Sequence, residues 1–273
     1  DLASAHLPAQ SLDGVHVSIY ANLGGSTEAP DALLAGAEGC GLFRTEFLFM
    51  ERQHAPSEDE QFRVYSEIFI QIPDKPLTIR TMDIGGDKPI AYLPLPKEEN
   101  PALGLRGLRT SLWREQLFID QLRAILRLPT PNQVRILLPM VNDVGDIVQA
   151  RRYIDQCALD LKLDYLPEIG AMIETPASAM MLDQLLGVVD FVSIGSNDLS
   201  QYVLAIDRGH PELASKLDAL HPAVLRMIKH VAETGRLAGK KVSLCGGLAS
   251  DPVAIPLLLG LDVLELSVVP VLI

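Results

Sequence analysis

Three short apolar runs decide the fold of this sequence: VRILLPMV at residues 134–141, IGAMIE at 169–174 and FVSIGSN at 191–197. Between them lie longer stretches, 143–161 and 176–186, whose apolar residues recur at helical spacing. Short runs rich in branched residues are typical of buried strands, and the longer stretches are typical of amphipathic helices. The order strand, helix, strand predicts parallel strands joined by helical crossovers.

The same alternation continues outward from this stretch in both directions. Eight strands are predicted, at 15–23, 41–45, 77–84, 134–141, 169–174, 191–197, 241–245 and 263–268. Helices are predicted at 29–37, 58–71, 115–126, 143–161, 176–186, 223–237 and 252–259. Eight such units predict an α/β fold, a (β/α)8 TIM barrel over residues 15–273 that follows a linker remnant at 1–14. Because no helix is predicted after the last strand, we expect the final helix to be missing and the chain to be a piece of a longer protein.

Two nucleotide-binding folds are the main alternatives. An open doubly wound sheet would carry G-x-G-x-x-G after its first strand, but Arg44 stands where the third glycine after Gly39 and Gly41 is required. A phosphate-binding P-loop needs Ser or Thr after Gly-Lys, whereas Lys241 follows Gly239-Lys240. Since neither nucleotide-binding motif is present, the closed barrel is the favoured interpretation of the fold.

Composition excludes several classes of protein. The chain has 273 residues, 48% of them hydrophobic, with 23 Lys and Arg against 35 Asp and Glu, so its net charge is −12. This balance argues against a nucleic-acid-binding or membrane-binding surface, since both need clustered positive charge. No apolar run reaches the roughly 18 residues of a membrane span. Three cysteines without a C-x-x-C pair predict a reducing, cytoplasmic location.

Arginines cluster at the predicted strand ends, where the chemistry of a barrel is found. Arg44 and Arg80 both end runs rich in branched residues, and Arg106 and Arg208 lie in the loops or helix starts after the third and sixth predicted strands. A guanidinium group binds phosphate or carboxylate oxygens in a bidentate manner. A salt bridge explains any one of these arginines equally well, but four on one rim favour an anion-binding site. Arg109 is expected to be a solvated helix residue.

Two carboxylates follow successive predicted strands. Glu174 and Asp198 should approach each other across one sector of the rim, and two such groups need a shared proton or a hard cation. Mg²⁺ is commonly held by one or two carboxylates with substrate oxygens and waters, so a magnesium site is the favoured interpretation. General acid–base catalysis by the pair is the alternative.

Cys245 ends a strand and precedes Gly246-Gly247, which leave room for a ligand. Its thiol is interpreted as a proton donor, with a nucleophile or a packed core residue as alternatives. Cys40 and Cys157 are expected to be core residues. His210 and His221 are expected to have turn or helix-start roles.

Several longer motifs carry a family resemblance. They are GLFRTEFLFM at 41–50, RTMDIGGDK at 80–88, EENPALG at 98–104, MIETP at 172–176, SIGSNDL at 193–199 and AIDRG at 205–209. From about Leu12 onward the chain resembles the carboxyl-terminal domain of enzyme I of the bacterial sugar phosphotransferase system. The wider superfamily includes pyruvate phosphate dikinase and phosphoenolpyruvate synthase.

The resemblance implies a barrel of the type that binds phosphoenolpyruvate (PEP) and pyruvate, normally a homodimer. It implies that Arg44 and Arg80 grip the phosphoryl group, that Glu174 and Asp198 hold Mg²⁺, and that Cys245 protonates the enolpyruvate carbon. The remaining expected substrate contacts are Asn197, Arg208, Arg106 and Lys88. The expected partners are an amino-terminal phosphohistidine domain and the histidine-containing phosphocarrier protein.

The sequence departs from the family at two points. Gly247 replaces the acidic residue that usually follows Cys-Gly, and no Gly-rich Ser-His motif for a phosphohistidine occurs. The leading hypothesis is therefore the substrate-binding half of a PEP-protein phosphotransferase. A PEP-sensing or dimerisation module without turnover, and a fragment of a dikinase or synthase, are the alternatives.

Overall fold

A computed structural model describes residues 7–50, 52–85, 90, 92–129 and 133–273. Across those residues the chain forms nine strands that belong to one sheet. The strands are β1 (Ala9–Gln10), β2 (His16–Leu23), β3 (Cys40–Arg44), β4 (Leu77–Arg80), β5 (Val134–Leu138), β6 (Glu168–Ile173), β7 (Phe191–Gly195), β8 (Lys241–Cys245) and β9 (Glu265–Val268).

The sheet closes on itself into a barrel. Strands β2 to β9 pair in sequence order and in parallel, and β9 also pairs with β2 through Ser18 opposite Glu265 and Ala21 opposite Val268. The eight-stranded barrel predicted from the sequence is confirmed. Strand β1 pairs antiparallel with β2 outside the barrel, and it falls in the segment 1–14 that the sequence assigns to a linker. That domain boundary stays a prediction.

Helices cover the outside of the barrel. They are α1 (Ala29–Leu34), α2 (Glu46–Phe49), α3 (Glu58–Gln71), α4 (Leu108–Trp113), α5 (Glu115–Leu126), α6 (Val144–Asp160), α7 (Pro176–Met180), α8 (Leu182–Leu185), α9 (Ser196–Leu204), α10 (Pro222–Leu237) and α11 (Ala254–Gly260). Helices α3, α6 and α7 each begin with a capping box, whose N-cap residues are Ser57, Asp143 and Thr175 respectively. Each satisfies backbone N–H groups that the first helical turn leaves without partners. In the ranges that are described, no helix is both long and apolar enough to cross a bilayer.

Alternation along the strands divides the core into two layers. Residues such as Ile79, Ile136 and Val192 face outward and pack with the helices in the main hydrophobic cluster. The next positions along the strands face inward, and Leu42, Leu137, Met172, Phe191 and Cys245 form a second cluster inside the barrel. Cys245 therefore lies within the barrel, at the end of β8.

Three predicted boundaries are wrong for the same physical reason. Strand β4 ends at Arg80 instead of residue 84, β5 ends at Leu138 instead of 141, and β7 ends at Gly195 instead of 197. In each case the chain leaves the sheet while the next residues stay buried: Met82 and Ile84 join a separate hydrophobic cluster, Val141 joins the main cluster, and Ser196 begins α9. The predicted helix 176–186 is also divided in two, at Met181.

Candidate functional site

A cavity of about 290 Å³ opens at the carboxyl ends of the barrel strands. Residues from β2, β3, β4, β6, β7 and β8, or from the segments that directly follow them, form its walls. They are Asn22, Leu42, Arg44, Glu46, Phe47, Met50, Arg80, Asp83, Met172, Glu174, Gly195, Asn197, Asp198, Arg208, Cys245 and Gly246. The cavity thus joins cationic, anionic, apolar and thiol groups on one rim.

Arg44 and Arg80 end neighbouring strands and lie in register, so their side chains reach the same wall of the cavity. The guanidinium of Arg44 lies 4.9 Å from the ring centre of Phe47. The Nε atoms of both arginines are buried and have no hydrogen-bond partner among the described residues. Donors left open in this way can bind an anion that enters the cavity.

Carboxylates already compensate the arginines. Glu46 Oε1 accepts a hydrogen bond of 2.6 Å from Arg80 Nη2, and both side chains are buried. Burial alone would lower the pKa of Arg80, but Glu46 and Asp83 outweigh it and raise the pKa. Arg80 therefore stays charged inside the barrel, where an unpaired cation would be costly.

Glu174 lies at the bottom of the cavity with no exposed surface. Its Oε1 accepts a 2.6 Å hydrogen bond from the backbone N–H of Met140, whose φ of +57° is rare for a residue with a side chain. Its Oε2 has no hydrogen-bond partner among the described residues. A Cβ atom on Gly195 would lie 2.7 Å from that oxygen, so glycine there makes room for the carboxylate.

Burial, followed by the negative charges of Asp198 and Asp83, raises the pKa of Glu174 well above its ordinary value, although Arg80 and Arg106 act in the opposite direction. A proton or a cation would relieve this accumulation of negative charge. Asp198 faces the same cavity from the first turn of α9. No group of three or more His, Cys, Asp and Glu with metal-binding geometry occurs in the described part of the chain. The pair thus fits a cation that takes its other ligands from substrate and water.

Cys245 lies at the opposite side of the cavity from solvent and is 2% exposed. Ser193 Oγ donates to its sulfur over 3.7 Å, and the thiol donates to the carbonyl oxygen of Ile194 over 3.5 Å. Burial raises the pKa of Cys245 to about 11, so the group is a neutral thiol at pH 7. A protonated thiol at this position can donate a proton, whereas a nucleophile would need a thiolate.

The backbone that follows Cys245 is attached to the start of α9. Ser196 Oγ donates to the carbonyl oxygen of Cys245 over 2.9 Å, and Asn197 Oδ1 accepts from the N–H of Gly247 over 2.9 Å. Gly246 between them has a φ of +95°, and a Cβ there would lie 2.5 Å from Ser196 Oγ. The first turn of α9 therefore fixes both the thiol loop and the carboxylate of Asp198.

The structure brings together most of the residues predicted to form the site. Seven of them line the cavity: Arg44, Arg80, Glu174, Asn197, Asp198, Arg208 and Cys245. Arg106 is 1% exposed and is not among the cavity-lining residues, since it lies behind the wall in ion pairs with Asp198 and Asp83. Lys88 lies outside the described residues.

Expectations for other residues are partly corrected. Arg109 is not a freely solvated helix residue, because its guanidinium donates to the carbonyl oxygens of Leu103 and Gly104. Cys40 and Cys157 are buried, as predicted. His221 is confirmed as a helix-start residue, since its Nδ1 accepts from the N–H of Ala223 at the beginning of α10.

Sequence reasoning missed four residues with a clear place in the site. Glu46 and Asp83 follow strands β3 and β4, but their pairing with arginines depends on the barrel geometry. Asn22 is the penultimate residue of β2 and is 8% exposed, and Met172 lies on β6 two residues before Glu174. The only signal for the last two is their position near a strand end, which many other residues share.

The sequence model of a family described as PEP-utilising enzyme, PEP-binding domain, matches residues 2–273. A multiphosphoryl transfer protein of Xanthomonas campestris pv. campestris is 47% identical over 271 residues, which cover 99% of this chain and 32% of that protein. A phosphoenolpyruvate-protein phosphotransferase of Geobacillus stearothermophilus is 43% identical over 267 residues, which cover 96% of this chain and 46% of that protein. The chain thus spans less than half the length of these relatives.

Solved structures with little sequence similarity share the fold. The crystal structure of an HpcH/HpaI aldolase/citrate lyase family protein from Burkholderia cenocepacia J2315 superposes with a TM-score of 0.57 at 15% identity, over 99% of this chain and 92% of that chain. At this identity the likeness concerns the barrel alone.

Proposed function

We propose, from the premise that the chain belongs to the PEP-utilising enzymes and comprises their PEP-binding domain, that it binds PEP and Mg²⁺ and supports phosphoryl transfer to a histidine. The histidine would lie on a separate amino-terminal domain, and pyruvate would be released. The reaction would be the first step of sugar uptake by a phosphotransferase system. The observation that carries the proposal is the single cavity in which arginines, a carboxylate pair and a protonated thiol meet.

The cationic wall suits the phosphoryl group of PEP. Arg44 and Arg80 have open donors, and positive charge around the equatorial oxygens is what phosphoryl transfer requires. Arg208 also lines the cavity, 3.5 Å from Asp198 Oδ1, and with Asn197 would orient the carboxylate of PEP. Arg106 would act from behind the wall through Asp198, and Lys88 is proposed as a further phosphoryl contact.

The carboxylate pair suits Mg²⁺. Glu174 would hold the ion through its open Oε2 and Asp198 through its carboxylate, with PEP oxygens completing the coordination. When bound, the ion would neutralise charge on the phosphoryl and enolate oxygens. Four arginines and four carboxylates surround the site, so the group has no net charge when all eight are ionised; they are Arg44, Arg80, Arg106, Arg208, Glu46, Asp83, Glu174 and Asp198. A cation is therefore needed to hold a trianionic ligand.

Cys245 is proposed to donate the proton that converts enolpyruvate to pyruvate. Its sulfur borders the apolar side of the cavity, in the interior cluster with Leu42 and Met172, where the methylene carbon of PEP would lie. The thiol transfers its proton to that carbon as the enolate becomes a ketone. Ser193 donates a hydrogen bond to the sulfur and would stabilise the thiolate that results.

The whole protein would supply the other components. The phosphohistidine domain, the histidine-containing phosphocarrier protein, a homodimeric assembly and a cytoplasmic location are proposed by analogy with the relatives. Both a separate phosphotransferase and a fused multiphosphoryl transfer protein are compatible, since relatives of each kind match. A dikinase or synthase fragment is less well supported, because one of these relatives is a multiphosphoryl transfer protein and the other a phosphoenolpyruvate-protein phosphotransferase.

A reconstitution experiment tests the proposal. The chain is mixed with a separately expressed amino-terminal domain, PEP and MgCl₂, and pyruvate is measured with lactate dehydrogenase. Pyruvate should form only when both proteins are present, and it should not form when the acceptor histidine is replaced by alanine. No pyruvate above that background would contradict the proposal.

Gly247 supports a second candidate function, a PEP-sensing or dimerisation module without turnover. It lacks the acidic side chain that the family usually has after Cys-Gly, although the loop remains held through backbone atoms. Calorimetry separates the two functions. A sensing module binds PEP while the reconstituted mixture forms no pyruvate.

A further inference from the structure

Asp83 lines the cavity and lies between two guanidinium groups, those of Arg80 and Arg106. Its Oδ2 is 3.5 Å from Arg80 Nη2 and 3.4 Å from Arg106 Nη2. The side chains of all three residues are at least nine-tenths buried. A single carboxylate oxygen thus bridges an arginine that ends β4 and an arginine that precedes α4.

The bridge continues to the proposed metal site. Arg106 Nη1 donates to Asp198 Oδ1 over 2.9 Å, while its Nη2 faces Asp83. Arg80, at the other end, lines the cavity. Four buried charges of alternating sign therefore connect the wall proposed for the phosphoryl group with a carboxylate proposed for the cation. In order, they are Arg80, Asp83, Arg106 and Asp198.

Because of this arrangement, the pairing of Asp198 at one end of the row affects the pairing of Arg80 at the other end. A cation at Asp198 competes with Arg106 for the carboxylate, so Arg106 can interact more strongly with Asp83. Asp83 then holds Arg80 less strongly, and the guanidinium of Arg80 becomes more available to an anion. Because the groups are buried, each change in pairing has a larger effect than it would in water.

We propose that Asp83 and Arg106 are positioning residues through which a divalent cation at Asp198 and PEP at Arg80 strengthen each other's binding. This inference rests on the proposed function and adds to it a route of coupling that is separate from direct contact between the ion and the substrate. Coupling of this kind is reciprocal, so PEP raises the affinity for the cation by the same factor.

Calorimetric titration of the chain with PEP, with and without MgCl₂, measures the coupling as the ratio of the two dissociation constants. Asp83→Asn should reduce this ratio at least fivefold, chiefly by strengthening PEP binding in the absence of Mg²⁺, because Arg80 is then released from Asp83 without the cation. Glu58→Gln is the matched control, because the Glu58 carboxylate also bridges two arginines, Arg123 and Arg127, at 2.6 and 2.7 Å. It does not line the cavity, so its variant should keep the wild-type ratio.

The outcomes separate the inference from the function on which it rests. A folded Asp83→Asn protein with the wild-type ratio overturns the inference, as does wild-type protein that binds PEP equally well with and without Mg²⁺. Wild-type protein that binds no PEP under either condition overturns the proposed function, and the inference with it. If Asp83→Asn does not fold, Arg106→Lys gives the same test, since lysine keeps the charge but lacks the fork that contacts both carboxylates. It should lower the ratio to a similar extent, and an unchanged ratio overturns the inference.

Discussion

Ser196 Oγ donates a 2.9 Å hydrogen bond to the carbonyl oxygen of Cys245, and so connects the first turn of α9 to the end of β8. Ser196 has no exposed surface. The contact fixes the backbone from which the thiol projects into the cavity. The neighbouring hydrogen bond from Gly247 to Asn197 holds the same loop on its other side.

Ser196→Ala should therefore slow pyruvate formation severalfold while PEP affinity changes little, because the thiol loop loses one of its two attachments. Ser200→Ala is the control, since Ser200 is also buried in α9 and donates to the carbonyl oxygen of Ser196. Single-turnover kinetics of pyruvate formation in the reconstituted system provide the measurement. Equal effects of the two variants would reduce the role of Ser196 to helix stability.

Gly246→Ala should be strongly destabilising. A side chain is disfavoured at a φ of +95°, and the added Cβ would lie 2.5 Å from Ser196 Oγ. Gly239→Ala isolates the backbone effect, because Gly239 has a φ of +66° and no atom within 4 Å of the new Cβ. We expect Gly239→Ala to cost about 1–2 kcal/mol in urea unfolding and Gly246→Ala to cost more. Similar losses would mean that the loop can move away from Ser196.

Cys245→Ala should leave PEP binding intact and slow pyruvate formation by roughly 10²- to 10⁴-fold, the usual contribution of a positioned acid. Cys157→Ala removes a buried thiol on α6 and should leave the rate unchanged. Calorimetry and stopped-flow pyruvate detection measure the two effects separately. A normal rate in Cys245→Ala would reassign the thiol to packing.

Arg44→Ala should weaken PEP binding by at least tenfold, because it removes a guanidinium with an open donor from the cavity wall. Arg109→Ala serves as the control, since Arg109 contacts only backbone carbonyls in the interactions described and does not line the cavity. Calorimetric titration in MgCl₂ distinguishes them. Wild-type affinity in Arg44→Ala would exclude this residue from the site.

Glu174 should make the metal-free chain less stable as pH rises. Its pKa is raised in the folded state, so the folded chain binds more protons than the unfolded chain above the ordinary Glu pKa of about 4.3. The stabilisation is therefore present at low pH and is lost as pH rises through the folded pKa. In thermal unfolding without metal, Glu174→Gln should show a weaker decrease in Tm with pH than the wild type. Parallel curves would show that Glu174 titrates normally.

The barrel could be predicted from the sequence because its strands and helices have distinct periodicities. Helices α3 and α5 begin and end where the pattern predicts. Helices α2, α4 and α9 were missed. Helices α2 and α4 are short, and α9 begins directly after β7, so that Ser196 and Asn197 were included in the predicted strand. Here the local pattern does not reveal where the chain leaves the sheet.

The site was predictable to the extent that strand ends meet at one rim. That rule brought Arg44, Glu174 and Cys245 together correctly. It could not reveal that Arg106 points behind the wall, nor that Glu46 and Asp83 compensate the arginines. Those contacts depend on side-chain direction in three dimensions, and their partners are up to 92 residues apart in sequence.

The most direct test of the account is a crystal structure of this chain with PEP and MgCl₂. We expect PEP in the cavity, with its phosphoryl oxygens at hydrogen-bond distance from Arg44 and Arg80, Mg²⁺ bound by Glu174 and Asp198, and the methylene carbon facing Cys245. An empty cavity at saturating ligand, or PEP bound away from these arginines, would contradict the account.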